Sequence, residues 1–414
     1  FIPFQCTLWH HSLSILIPLQ ENETMSRRTK HYPGTFILTL IILALSFIVA
    51  LPTTSYSWTL TDLLWDGNIQ PADAKNPAFN IHTDIQGLPT LKGKNFFEAI
   101  NDLSICRHPE VRQFLFLYLT RGREYTLRAI ERSRMYLPII DEVFRQHPKI
   151  PPEIRLLPLL ESAFNPKAVS RSRAVGIWQF LQGTARMLDM KINKWTDERC
   201  HITKSTEAAV RHLQSLRSVF PSWELALAAY NGGAGYVKRT MIRTRSATLR
   251  DLLESGELRR ETREYVYRFA ALAIIYKNPE LFQISDELKP IKVRRTETVT
   301  LEYPVKLTLF CRVTGVSLND IRLYNPELRR GYTPLYERNY TLRIPEGFKE
   351  RVMAQEDKLY SIKYSRLQKH VVRKGDNLGR IAKRYGTKRS WIILFNDIQN
   401  GKKLQRGSTL YIPI

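Results

Sequence analysis

LLPLLESAFNP, residues 156–166, sets one carboxylate, Glu161, at the end of an apolar run and follows it at once with small, aromatic and turn-forming residues. An ionised carboxylate against apolar surface is costly unless it is paired, or its pKa rises until it is neutral. Two readings are open. Glu161 is an acid held half-buried for chemistry, or it is the solvated edge of a core helix. Pro152 suits an early helical position, so the helix it opens carries Glu161 near its far end. Pro158 kinks or restarts that helix, and Asn165 with Pro166 marks a turn.

Three further segments bear on the choice: GIWQF (176–180), AYNGG (229–233) and ETREYV (261–266). Each sets a hydrogen-bonding residue, Gln179, Asn231 or Tyr265, among apolar or glycine neighbours. Gly176 and Gly232 would let backbone or ligand approach closely and so line a groove. Each segment also has a plain structural reading. Trp178 and Phe180 fit a core, Gly232 with Gly233 fits a helix end, and Tyr265 fits an amphipathic core edge. Apolar residues recur at three and four from Asn95 to about Pro279, in Val111–Leu119, Tyr125–Tyr136, Leu137–Gln146, Thr206–Val219, Trp223–Tyr230 and Arg263–Tyr276. The surroundings of Glu161 are therefore helical.

The 414 residues, 43% of them hydrophobic, suffice for several domains with ordinary cores. Residues 1–24, ahead of Met25, read as an upstream translation artefact. Arg27, Arg28 and Lys30, the apolar run Thr35–Leu51 and the small residues Ser55 and Ser57 have the layout of a secretory signal. The run falls just short of a usual membrane span, which leaves an uncleaved anchor and inner-membrane association as the alternative for 25–57. Either way the rest is expected to work in the cell envelope, on the periplasmic side. With 63 Lys and Arg against 39 Asp and Glu, the net charge of +24 asks for an anionic partner. The leader argues against nucleic acid and for an envelope polymer. Cys106, Cys200 and Cys311 have neither zinc spacing nor a disulfide framework, and at most one pair, Cys106 with Cys200, could close. The nine His are dispersed without an HExxH arrangement, so no metal or other cofactor is expected.

Residues 58–95 look irregular, and the composition changes after Pro290. Thr298–Leu307 and Tyr340–Ile344 alternate like strands around the helical SLNDIRLYNPEL, 317–328. The end of the chain repeats the plan: strand-like His370–Arg373, short helices Asn377–Tyr385 and Lys388–Asn396, and strand-like Thr409–Ile412. The expected architecture is multidomain. A leader (1–57) and an irregular segment (58–95) precede a mainly α domain (96–290). Two small α+β modules of βααβ plan follow (296–347 and 369–414), separated by a charged linker (348–368).

LLPLLESAFNP, GIWQF, AYNGG and ETREYV, in this order and spacing, resemble the lytic transglycosylase family of the soluble-lytic-transglycosylase type. The lead-in YLPIIDEVFRQHPKIPPEIRLLP (136–158) is similar to its membrane-bound D subfamily. The resemblance implies a lysozyme-like helical catalytic domain with a groove between helices. It also implies non-hydrolytic cleavage of the β-1,4 MurNAc–GlcNAc bond of peptidoglycan glycan strands. Glu161 matches the family's single catalytic acid/base and Ser170 the serine near the muramyl 6-hydroxyl. Gln179 matches the groove-wall glutamine, Tyr230 and Asn231 the tyrosine–asparagine pair, and Tyr265 the late-motif tyrosine. Arg173 departs from the family's small residue. One carboxyl group suffices in that reaction because the nucleophile is the sugar's own 6-hydroxyl, whose tethering gives it a large effective molarity. A hydrolytic muramidase and a noncatalytic wall-binding protein stay open as alternatives. No second acid stands out, Glu207, Glu224 and Glu264 all reading as solvated helix faces.

Residues 369–414 resemble a LysM domain along their length, through HVVRKGDNL, IAKRYGT, the FN at 395–396 and the closing LYIP. The resemblance implies binding of N-acetylglucosamine-containing glycan by Gly375, Asp376, Asn377, Leu378, Asn396, Asp397 and Ile398. With eleven Lys and Arg against two Asp, the module also suits an anionic wall. Residues 300–346 look like a degenerate copy without the glycine–aspartate loop, a binder or a spacer. The oligomeric state is left open.

Overall fold

The computed structural model describes residues 90, 92–290, 295–360, 363–396, 398 and 404–414. The leader expected at 1–57, most of the segment 58–95 and Asp397 lie outside the described residues. Asn95 opens the first helix, α1 (Phe96–Asn101), with a capping box. Its side chain accepts from the Glu98 amide while Glu98 accepts from the Asn95 amide. Helix α2 (Pro109–Leu119) begins on a proline, where the missing N–H is not needed. Helix α3 (Arg123–Arg145) is one element where two were expected, Tyr125–Tyr136 and Leu137–Gln146. Pro138 lies inside it, at a cost of about 3 kcal/mol. Burial of Tyr136, Leu137, Ile140, Val143 and Phe144 along one face outweighs that cost at about 1.5–3 kcal/mol per large side chain.

Pro152 starts a 3-10 turn (Pro152–Leu156), and Pro158 restarts the chain as α4 (Leu157–Ser162). There follow α5 (Gln182–Met187), α6 (Ile202–Val219), α7 (Trp223–Gly232), α8 (Ala234–Thr244) and α9 (Leu249–Glu254). Ser222 caps α7 through the Leu225 amide. The last helix, α10 (Arg260–Lys277), runs through the middle of the domain, packed on α2, α4 and α7. Ala270, Ala271 and Ala273 on α10, with Ala226, Ala228 and Ala229 on α7, are buried and small. Small residues let helix axes come close.

Two small modules follow. In the first, β1 (Thr296–Leu301) pairs antiparallel with β2 (Tyr340–Pro345), Thr296 opposite Pro345 and Leu301 opposite Tyr340. Helices α11 (Leu307–Thr314) and α12 (Leu318–Tyr324) lie between them. The strand is shorter than the expected Thr298–Leu307, because Leu307 already begins α11. The helix stops short of Leu328 because Asn325 precedes Pro326, which disfavours helical geometry there. The stretch read as a linker, 348–368, contains α13 (Lys349–Ala354) and α14 (Glu356–Leu359), and their Val352 and Leu359 are buried in this module's core. In the second module β3 (Leu367–Val371) pairs with β4 (Thr409–Pro413) around α15 (Leu378–Arg384) and α16 (Arg389–Asn396). Cys106, Cys200 and Cys311 are free thiols, so the Cys106–Cys200 pairing is not made. Among the described residues no helix is long and apolar enough to cross a membrane.

Candidate active site

Glu161 is the last residue but one of α4, and the backbone beyond it turns sharply. Ala163 and Phe164 both take left-handed conformations, φ 50° and 54°, rarely adopted by residues with a β-carbon. The Phe164 side chain is fully buried, and the Ser162 hydroxyl donates to the Ile177 carbonyl at 3.0 Å. These two anchors hold the turn and tie it to the GIWQF loop. Behind the helix, the Tyr125 hydroxyl donates to the Leu159 carbonyl at 2.8 Å.

The Glu161 carboxyl is half-buried and accepts a hydrogen bond from the Tyr265 hydroxyl at 2.5 Å. Burial pushes its pKa up to about 7. The Tyr265 hydrogen bond, which favours the charged form, opposes the rise, and the nearby Glu261 carboxylate adds to it. Both Tyr265 and Tyr230 are pushed above the usual phenol range, first by burial and then by the Glu161 charge. Their hydroxyls therefore stay protonated as donors. Tyr230 donates to the Trp178 carbonyl at 2.7 Å, which fixes the GIWQF loop to α7.

That loop has Gln179 at φ 50°, its side-chain Nε2 donating to the Gly176 carbonyl at 2.8 Å. Trp178 is fully buried, its indole N–H on Thr206 at 3.0 Å, so the core reading holds for it. Gly176 and Gly232 do not line the groove as expected. A β-carbon on Gly176 would sit 1.9 Å from the Arg199 carbonyl oxygen, and one on Gly232 would lie 2.8 Å from Thr262. Both glycines serve close packing instead.

Glu161, Ser170, Gln179, Tyr230, Asn231 and Tyr265 all line one cleft, a cavity of about 530 Å³. Ser170 reaches it from a tight loop, accepting from the Ala174 amide at 3.0 Å. Arg173, φ 62° and exposed, is not in the lining, and its carbonyl accepts from Arg199. Sequence reasoning missed Tyr118, Arg171, Ser172, His212, Glu261 and Arg268, which also line the cleft. Glu261 and Arg268 stand four before and three after Tyr265, on the same helical face, and that spacing could have found them. Tyr118 and His212 carry no such signal.

Glu207 is exposed. Glu224 lines a separate groove, and Glu264 is held by Arg260 and Arg268 at 2.5 and 2.7 Å. Among the described residues, Glu261 is the second carboxylate of the cleft. No cluster of three or more His, Cys, Asp or Glu able to hold a metal is found among the described residues.

In the C-terminal module, Gly375 sits at φ 84° and Leu378 opens α15. Other residues proposed for glycan contact have side chains engaged within the module. Asp376 accepts from the Arg373 amide at 2.8 Å and faces His370 Nε2 at 2.9 Å. Asn377 caps α15 through the Arg380 amide at 2.9 Å. Asn396 donates to the Ile392 and Tyr411 carbonyls and accepts from the Tyr411 amide. Asp376, Asn377 and Asn396 thus fix the backbone on either side of the loops they border.

Residues 143–252 match the family described as Transglycosylase SLT domain. Residues 295–361 match "Lytic transglycosylase MltD, LysM-like domain", and 370–413 match the LysM domain. The chain is 27% identical over 328 residues to Membrane-bound lytic murein transglycosylase D of Escherichia coli strains K12 and CFT073, covering 75% of this chain and 70% of those proteins. It is also 35% identical over 127 residues to a protein of Alteromonas sp. (strain M-1) named for tributyltin chloride resistance, 30% of this chain and 59% of that one. The chain therefore carries a transglycosylase SLT domain that holds the Glu161 cleft, a LysM-like module of the kind described for lytic transglycosylase MltD, and a LysM domain, and in this order it is similar to the membrane-bound lytic murein transglycosylases D.

Proposed function

We propose that the cleft cleaves the β-1,4 MurNAc–GlcNAc bond of peptidoglycan and leaves 1,6-anhydroMurNAc ends, in the cell envelope, with the LysM domain holding the glycan. The observation that carries this reading is Glu161, half-buried, its pKa lifted to about 7 and the Tyr265 hydroxyl 2.5 Å from its Oε1. A carboxyl with that pKa keeps about half of its molecules protonated at neutrality, where an ordinary carboxyl keeps almost none, and the protonated form can donate to the glycosidic oxygen as the C–O bond breaks. The muramyl 6-hydroxyl then attacks the anomeric carbon and returns its proton to Glu161, so no water is consumed. Tyr265 steadies the carboxylate between the two transfers. Asn231, Gln179 and Ser170 line the cleft where the sugar would be held in the ring shape this attack requires.

Glu261 favours a second reading. A second carboxylate in the cleft could activate water, as in hydrolytic muramidases. Digestion of purified sacculi followed by mass analysis of the soluble muropeptides separates the two. Anhydro ends, one water lighter than reducing ends, are expected. Reducing ends would replace the proposal with hydrolysis, and no release would leave a wall-binding protein.

A further inference from the structure

The two small modules share one internal device. Asn325 donates to the Ile321 and Arg343 carbonyls and accepts from the Arg343 amide, as Asn396 does with Ile392 and Tyr411. Their loops are also joined alike, since in the second module the Val372 amide donates to the Ser408 carbonyl and the Gly407 amide to the Val372 carbonyl, both at 2.9 Å. The modules differ in what the later loop packs on. The positions that the LysM resemblance implies for glycan binding, 375–378 and 396–398, fall in sequence after β3 and before β4. In the first module the corresponding loops are 302–306 and 325–339, and they are bonded to each other. The Val305 amide donates to Thr333 Oγ1 at 2.9 Å and the Thr333 amide to the Val305 carbonyl at 3.0 Å. The Leu307 amide donates to the Gly331 carbonyl at 2.9 Å.

The same 325–339 loop runs along the helical domain. The Asp197 amide donates to the Glu327 carbonyl and the Arg329 amide to the Trp195 carbonyl, both at 3.0 Å. Lys191 pairs with Glu337 at 3.0 Å. Fully buried Glu327 is gripped at 2.8 Å by Arg343, which also donates to His201 Nε2 at 2.8 Å. Burial, with Arg343 and Lys204 alongside, holds the His201 pKa far down, so the imidazole is neutral and can accept that bond. The LysM domain reaches the same junction. Trp195, Leu335, Tyr364 and Phe395 are buried against one another, and the Phe395 carbonyl accepts from Lys194 at 2.8 Å and from Tyr336 at 2.7 Å.

We infer that module 295–360 is a docking piece without a glycan site of its own, which holds the LysM domain at one distance and orientation from the Glu161 cleft. This rests on the proposed roles of the cleft and the LysM domain. A rigid connection confines the anchored enzyme to glycosidic bonds at a set number of sugars from the bound N-acetylglucosamine. A flexible tether would sample a range of them.

Amide hydrogen exchange on the full chain carrying Glu161→Gln, with and without chitohexaose, tests the docking. Asp197, Val305, Leu307, Arg329 and Thr333 should exchange slowly in the free chain and be unchanged by the oligosaccharide. Residues 372–378 should slow about tenfold or more. Slowing in 302–306 or 325–339 on adding chitohexaose, or fast exchange at Asp197 and Arg329 in the free chain, would overturn the inference. No slowing at 372–378 would overturn the LysM reading and the register with it, a distinct failure. In the active chain, Lys194→Met with Tyr336→Phe removes both bonds to the Phe395 carbonyl while keeping the packing. It should broaden the lengths of glycan released from sacculi about twofold with the rate on short soluble glycans unchanged. An unaltered length distribution would overturn the register.

Discussion

At the scale of the residue, the chemistry follows from where one proton sits. Leu157 and Phe164 are fully buried beside Glu161 and Leu160 lines its cleft, and burial is the largest cause of its raised pKa. Glu161→Gln should therefore abolish nearly all turnover while leaving sacculus binding intact, measured by muropeptide release against pelleting. The same variant tests the linkage. A carboxyl whose pKa is raised from 4.5 to about 7 on folding costs stability as pH rises through that window. Glu161→Gln should thus melt with the parent below pH 4.5 and be more stable above pH 7, by up to about 3 kcal/mol. Turnover should fall as pH rises above about 7, because the acid is then ionised before it can donate. Tyr265→Phe removes a hydrogen bond that favours the charged form, so the alkaline limb should move to higher pH while kcat drops. Glu261→Gln removes a like charge and should move that limb lower. Limbs that stay fixed in both variants would detach these groups from Glu161.

At the scale of the element, the site is built by a turn and a loop which the helices brace. Gly176 shows the constraint most sharply. At φ 89° with the Arg199 carbonyl 1.9 Å from where a β-carbon would stand, Gly176→Ala cannot be accommodated without moving backbone. It should destabilise the domain by about 3 kcal/mol or more, read by urea denaturation, and lower activity beyond the loss of folded protein. Parts of this were legible in the sequence and parts were not. Pro152 and Pro158 announced the broken entry to α4, because proline acts through its own backbone. The fusion of two expected helices into α3 was hidden, because the burial that offsets Pro138 is tertiary. Glu161, Gln179, Asn231 and Tyr265 stood out in the four motifs as polar residues among apolar or glycine neighbours, and all four line one cleft. Tyr118 and His212 did not stand out, since they come from α2 and α6, brought to the cleft only by packing.

At the scale of the whole molecule, the question is how the proposed chemistry of the cleft reaches an insoluble polymer. Deleting 369–414 should reduce retention on sacculi about tenfold or more by removing the tether. The rate on short soluble glycans should change little. The deletion also uncovers Trp195, Leu335 and Tyr364, so the truncated chain should melt lower than the parent, a consequence of the junction that composition alone did not suggest. Equal losses on both substrates would count against a tether. The sequence made the duplication visible through its repeated strand and helix pattern. It did not show that residues 348–360 complete the first module's core, because a charged surface masks Val352 and Leu359 in a linear reading.

The most direct test of the account is the ionisation of Glu161 itself, followed by carbon-13 NMR of carboxyl-labelled glutamate in the parent and in Glu161→Gln. One resonance, absent from the variant, should titrate with a midpoint near 7. A midpoint near the ordinary 4.5 would leave the acid ionised at working pH and contradict the proposed chemistry.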